Sequence, residues 1–123
     1  MIIAIPFKTP TINHLYGQNN NRRFLTKEAK ELKEQIADIV RVKHFNTEDY
    51  DNKPLKVSVR ISEDWLCKDK SIKRKDIANR EKFLIDSIFD ALGLDDKLIF
   101  VHIMEKVQSK DEHAIVSIVP LPY

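Results

Sequence analysis

The sequence predicts an α+β fold: a single small domain with a mixed β-sheet and two main helices. Two segments alternate with the period of a strand, two more read as strands near the end of the chain, and two longer segments carry apolar residues at helical spacing. They follow one another as strand, helix, strand, helix, strand, strand, an order that lays helices on a small sheet. A chain of 123 residues with 42% hydrophobic content has room for one core and not for two, so residues 1–123 are read as one domain.

Ile3, Ile5 and Phe7 alternate with Ala4 and Pro6, which gives a short first strand with proline near its exposed end. From Lys8 to Phe24 the chain is polar, with Asn13, Asn19, Asn20, Asn21, Arg22 and Arg23 around Gly17, and reads as an ordered turn or flap. Thr26 is the expected N-cap of a helix that places Ala29, Leu32, Ile36, Ile39 and Val40 on one side. Glu28-Ala29-Lys30 matches the end of a common nuclease motif only formally, because that chemistry needs a strand and this segment is helical. After a polar loop at Asn46 to Asn52, the strict alternation of Leu55, Val57, Val59 and Ile61 with Lys56, Ser58 and Arg60 gives the clearest strand. A charged loop from Ser62 to Lys75 leads to a second helix, with Ile77, Leu84, Ile85, Ile88, Ala91 and Leu92 on its apolar side. Asn79, Lys82, Asp86 and Asp90 form its polar stripe, Phe83 falls at the edge of that stripe as a subunit contact or else a surface for the ligand, the contact being favoured, and Gly93 ends it. Leu98 to Val107 and Ala114 to Val119 are the last strands, with Ser109 to Glu112 as a hairpin between them.

Composition excludes several classes. The single Cys67 can form no intrachain disulfide, and no Cys/His spacing suits zinc, so His102 and His113 read as strand or turn residues. Two glycines are too few for a Gly-rich phosphate cradle. The first seven residues lack a basic leader and break at Pro6, and no apolar run is long enough for a bilayer, so a cytoplasmic protein is expected. A net charge of +2 from 21 basic and 19 acidic residues leaves any nucleic-acid affinity to local clustering.

That clustering surrounds the second helix. Lys73, Arg74 and Lys75 precede Asp76, Asn79 and Lys82 follow it, and the Asp95-Asp96 pair comes just after the helix end. Carboxylates hold hard divalent cations and neighbouring cations hold phosphates, which together point to metal-assisted phosphodiester chemistry with Mg²⁺, or Mn²⁺ in its place. A turn folding back along the helix would bring Asp96 to Asp76, and Lys82 would then reach the scissile phosphate or support the leaving group. Charge runs are commonly solvated surface, but this one lies beside the acidic residues.

These residues resemble the RusA-type Holliday-junction resolvases, endodeoxyribonucleases common in phages and prophages. Pro10-x-x-Asn13-x-x-Tyr16 and Leu25-Thr26-x-Glu28-Ala29-x-x-x-Lys33 look like the family's N-terminal half. Arg74-x-Asp76-x-Ala78-Asn79-x-x-Lys82-x-x-x-Asp86 and Leu94-Asp95-Asp96 look like its Asp-x-Asp-Asn-x-x-Lys segment and its Asp-Asp turn. The resemblance implies catalytic roles for Asp76, Lys82 and Asp96, and metal ligation by Asp76, Asp95 and Asp96. It also implies a homodimer that acts on four-way junctions, with DNA contacts from Asn13, Arg22, Arg23, Lys73, Arg74, Lys75, Asn79 and Lys82. Ala78 departs from the pattern, standing where the second catalytic aspartate belongs, and loss of that ligand should weaken or stop cleavage while sparing the fold. Ala78 is a deliberate exchange of aspartate, which retention of every other element of the segment favours, or a natural loss or rearrangement of the site, or a residue that simply packs near the apolar side of the helix.

Three rival readings remain open. They are a catalytically silent branched-DNA-binding protein, a nuclease of another architecture using Asp76 with Asp95-Asp96-Lys97, and a protein-binding domain whose charged stretch is inert surface.

Overall fold

The structure, a computed structural model, describes residues 1–10, 16–19 and 22–123, with 16–19 and 22–25 described by their backbone alone. Strand β1 (Ile2–Ile5) is followed by β2 (Tyr16–Asn19) and β3 (Arg22–Leu25), helix α1 (Lys27–Val42), β4 (Leu55–Glu63), helix α2 (Ala78–Leu92), β5 (Ile99–Gln108) and β6 (His113–Pro120). Four strands form one sheet in the order β1-β6-β4-β5, and β2 and β3 pair as a separate antiparallel ribbon. The α+β expectation therefore holds, with a mixed sheet in which only β4 and β5 run parallel.

The alternation along β4 sets the layers. Leu55, Val57, Val59 and Ile61 are buried, as are Ile3 and Ile5 on β1 and Ala114, Val116 and Ile118 on β6. These side chains meet Ala29, Ile36 and Val40 from α1 and Leu84, Ile85, Ile88 and Phe89 from α2 in one apolar core. Thr26 caps α1 as expected, its hydroxyl accepting from the Ala29 amide at 3.3 Å. Gly93 closes α2 at φ 71°, a left-handed conformation that a Cβ disfavours.

Three expectations are corrected. The polar segment before α1 is not all turn, since Tyr16 to Leu25 contains the paired ribbon, a local antiparallel arrangement that its polar composition conceals. Ser109 to Glu112 does not close a hairpin of neighbouring strands: β5 and β6 lie on opposite sides of β4, and Ser109 donates its amide to the Glu63 carbonyl at 3.0 Å. Parallel pairing of β5 to β4 follows from the α2 crossover, which returns the chain to the starting end of β4. Phe83 is buried in the core, because α2 is packed by α1 as well as by the sheet and so buries a wider arc than one apolar stripe.

Among the described residues, no helix covers the other face of the sheet. Ile2, Ile103, Ile115 and Val119 point outward there and are between 37% and 66% exposed, with Arg60 paired to Glu105 at 3.2 Å among them. Among the described residues this apolar surface, with a charge-balanced pair in it, is left uncovered.

Candidate functional site

The segment joining β4 to α2 carries most of the residues singled out in the sequence. It leaves the sheet at Glu63, folds into a small loop closed by a Leu66–Ile72 bridge, and returns when Lys73 donates its amide to the Trp65 carbonyl at 2.9 Å. Trp65 anchors it: the ring is buried and its Nε1 donates to the Ile61 carbonyl at 3.0 Å. The Lys75 and Lys106 ammonium groups lie over that ring at 5.8 and 4.8 Å from its centroid. The loop thus delivers Lys73 to Asp76 to the start of α2 at a defined height above the sheet.

Asp76 is exposed there, and its Oδ1 accepts from the Ala78 amide at 3.0 Å, satisfying one of the free donors of the first helical turn. Ala78 is the first residue of α2 and its side chain faces solvent, so it is not a packing residue. Asn79 is half-buried and Lys82 is exposed, with its ammonium 3.4 Å from Asp86. Asp95 caps the short 3₁₀ turn at Asp96–Leu98 through the Lys97 amide at 2.9 Å, and both aspartates are exposed.

The expected meeting of Asp76 with Asp96 is not made within the chain. The turn does not fold back along α2; it leads straight into β5, whose Ile99 pairs with Leu55. The 15 residues of α2 stand between the two carboxylates, a helix length of about 22 Å. Among the described residues no group of three or more His, Cys, Asp or Glu side chains is placed to hold a metal ion. Aspartate oxygens have the right chemistry for a hard divalent cation, but position 78 supplies none and the remaining carboxylates are divided between the ends of α2. The donor set of one chain is therefore incomplete.

The expected phosphate contacts divide into two classes. Lys73, Lys75 and Lys82 are already paired, with Asp64 at 3.2 Å, Glu63 at 3.0 Å and Asp86 at 3.4 Å, whereas the exposed Arg74 has no ion pair among the described residues. Asn13 lies outside the described residues, as do the side chains of Arg22 and Arg23 on β3.

Sequence reading overlooked the buried charges behind this surface. Glu63, Arg80 and Glu81 are all buried, and Glu81 accepts from His102 Nε2 at 2.8 Å. Burial pushes the Glu81 carboxyl up, with His102 pulling against it. The signal was periodicity itself: Glu63 continues the inward parity of Ile61, and Arg80 and Glu81 lie one turn before Leu84 and Ile85.

Asp64 gives this loop a pH dependence. Its Oδ1 accepts from Gln108 Nε2 at 2.9 Å and from the Leu66 amide at 3.2 Å, and its Oδ2 from Lys73 at 3.2 Å. The Gln108 bond foremost, then Leu66 and Lys73, hold its pKa down from 3.8 to about 2. A depressed carboxyl contributes stability above its unfolded pKa that is lost as pH falls through the folded one. Thermal melts should therefore show a drop in Tm from about pH 4 to about pH 2 that is smaller in Asp64→Asn.

Comparison with known families gives a match to the model described as endodeoxyribonuclease RusA, over residues 6–119. Comparison with curated proteins gives no match.

Proposed function

Since the chain belongs to the endodeoxyribonuclease RusA family, we propose that it is a structure-specific endodeoxyribonuclease of four-way DNA junctions, acting as a homodimer, with its cleavage step suppressed by alanine at position 78. The observation that carries this reading is the family match, which spans nearly the whole chain. The start of α2 supports it, because Asp76, Asn79, Lys82 and Arg74 are gathered there on a surface reached from solvent. In this reading Asp76 is the carboxylate that one chain offers to Mg²⁺ or Mn²⁺ at the start of α2, Lys82 supports the reacting phosphate, and Arg74, Asn79, Arg22 and Arg23 contact the backbone. The protein would work in a bacterial cytoplasm, encoded by a phage or prophage.

Because Lys73 and Lys75 are held by carboxylates, junction affinity should fall less steeply with salt than six free cations would give, at a slope of roughly −0.9 per phosphate contact released. The primary test measures binding and Mg²⁺-dependent cleavage of a synthetic four-way junction and a linear duplex. Paired symmetric nicks after restoration of the missing carboxylate support the assignment. Equal affinity for both DNAs, with no cleavage, would remove it. Ala78 also favours a second reading, in which the protein only binds branched DNA; that reading predicts junction binding and no cleavage even with aspartate at 78.

The homodimer has its own support in the uncovered sheet face. Two sheets packed face to face bury apolar side chains that one leaves in water, and a two-fold axis suits a surface whose Arg60–Glu105 pair is self-complementary. Lysines at Ile103 and Ile115 together should therefore turn a dimer into a folded monomer in sedimentation. A variant that stays dimeric would place the interface elsewhere.

A further inference from the structure

We propose that Glu63 and Arg80 are positioning residues, which hold the Asp76–Asn79 segment in register with the N-terminal segment at Thr9; this rests on the junction-binding reading above. Glu63 is the last residue of β4 and only 1% exposed. Its Oε2 accepts from Lys75 Nζ at 3.0 Å, and its Oε1 lies 3.0 Å from Arg80 Nε in an ion pair that lacks hydrogen-bond geometry. Lys75 and Arg80 flank Asp76 on either side, so one buried carboxylate ties down both ends of the segment that carries it. Lys106 adds a second tie from β5, donating to the Lys75 carbonyl at 2.6 Å.

Arg80 extends the linkage. Its Nη1 donates to the carbonyl of Thr9 at 2.8 Å, across 71 positions of sequence, and Thr9 is itself buried. Thr9 stands at the entry to the segment that bears Asn13, Arg22 and Arg23. A guanidinium can bridge a carboxylate and a carbonyl at once, which a lysine ammonium on a single flexible stem does far less well. Apolar residues of similar size would pack this position with equal or better stability, since desolvating charges is costly. What an apolar pair cannot supply is a directional link between the acidic end of α2 and the N-terminal segment.

Two variants separate positioning from mere stability. Arg80→Lys keeps the charge opposite Glu63 and loses the reach to Thr9, while the double variant Glu63→Met with Arg80→Met fills the space without charge. Fluorescence anisotropy with a labelled four-way junction and a linear duplex, on samples shown by thermal melting to be folded, gives the junction-to-duplex affinity ratio. Amide NMR spectra of the free proteins report on Thr9, Asp76 and Asn79. Both variants should lose about tenfold in the ratio and shift the amides of both segments. If the unaltered protein prefers junctions and both variants keep that preference, the proposal is overturned and the resolvase reading stands. If the unaltered protein shows no preference, that reading fails and takes the proposal with it.

Discussion

Ala78→Asp is expected to raise Mg²⁺-supported cleavage of a four-way junction by about a hundredfold or more, equivalent to about 2.7 kcal/mol of transition-state stabilisation. The position accepts the change without cost to the fold. Ala78 is the first residue of α2, its side chain is exposed, and its amide is already satisfied by Asp76. A carboxylate in the first turn gains about 0.3–1 kcal/mol from the helix dipole, which offsets the lower helix propensity of aspartate. The Tm should thus barely move while activity rises. Ala78→Asn is the control: it has nearly the same shape and lacks the charged oxygen pair, so it should gain little. Junction cleavage by Ala78→Asp that matches the unaltered protein would show that position 78 does not limit the reaction.

Glu63→Ala should be among the most damaging single changes to stability, at about 3–5 kcal/mol, because it strands partners rather than merely removing a contact. Arg80 is buried and would face an empty space where its carboxylate stood, and Lys75 would lose the acceptor that draws it over Trp65. Set against a typical domain stability of about 5–15 kcal/mol, that is a large share. The paired apolar replacement, Glu63→Met with Arg80→Met, should instead be close to neutral, since it removes the buried charges together. Urea denaturation of both proteins tests the contrast. A single variant that loses less than about 1 kcal/mol would mean that water reaches Arg80 when Glu63 is removed.

The two helices, the capping residues Thr26 and Gly93, and the alternating strand β4 were all legible because each is written in local periodicity or in one residue's backbone preference. The same periodicity pointed to Glu63 and Arg80, but a charged residue at an inward position is easily read as the end of an element. It is recognised as buried only when its partners are known, and those lie 12, 17 and 71 positions apart in the Lys75–Glu63, Arg80–Glu63 and Arg80–Thr9 contacts. The β2–β3 ribbon, whose partners are close in sequence, was missed for a different reason, since polar residues pair through backbone groups that every residue type carries.

What the sequence determined by itself is the α+β class and the family, because these depend on residue types at fixed spacing along the chain. Only the tertiary structure decided that β5 lies beside β4, that Phe83 is core, and that Asp76 and Asp96 stand at opposite ends of α2. Those outcomes depend on how a crossover helix returns the chain to the sheet and how closely α1 covers it, and free energies of packing between distant segments leave no periodic mark on either one.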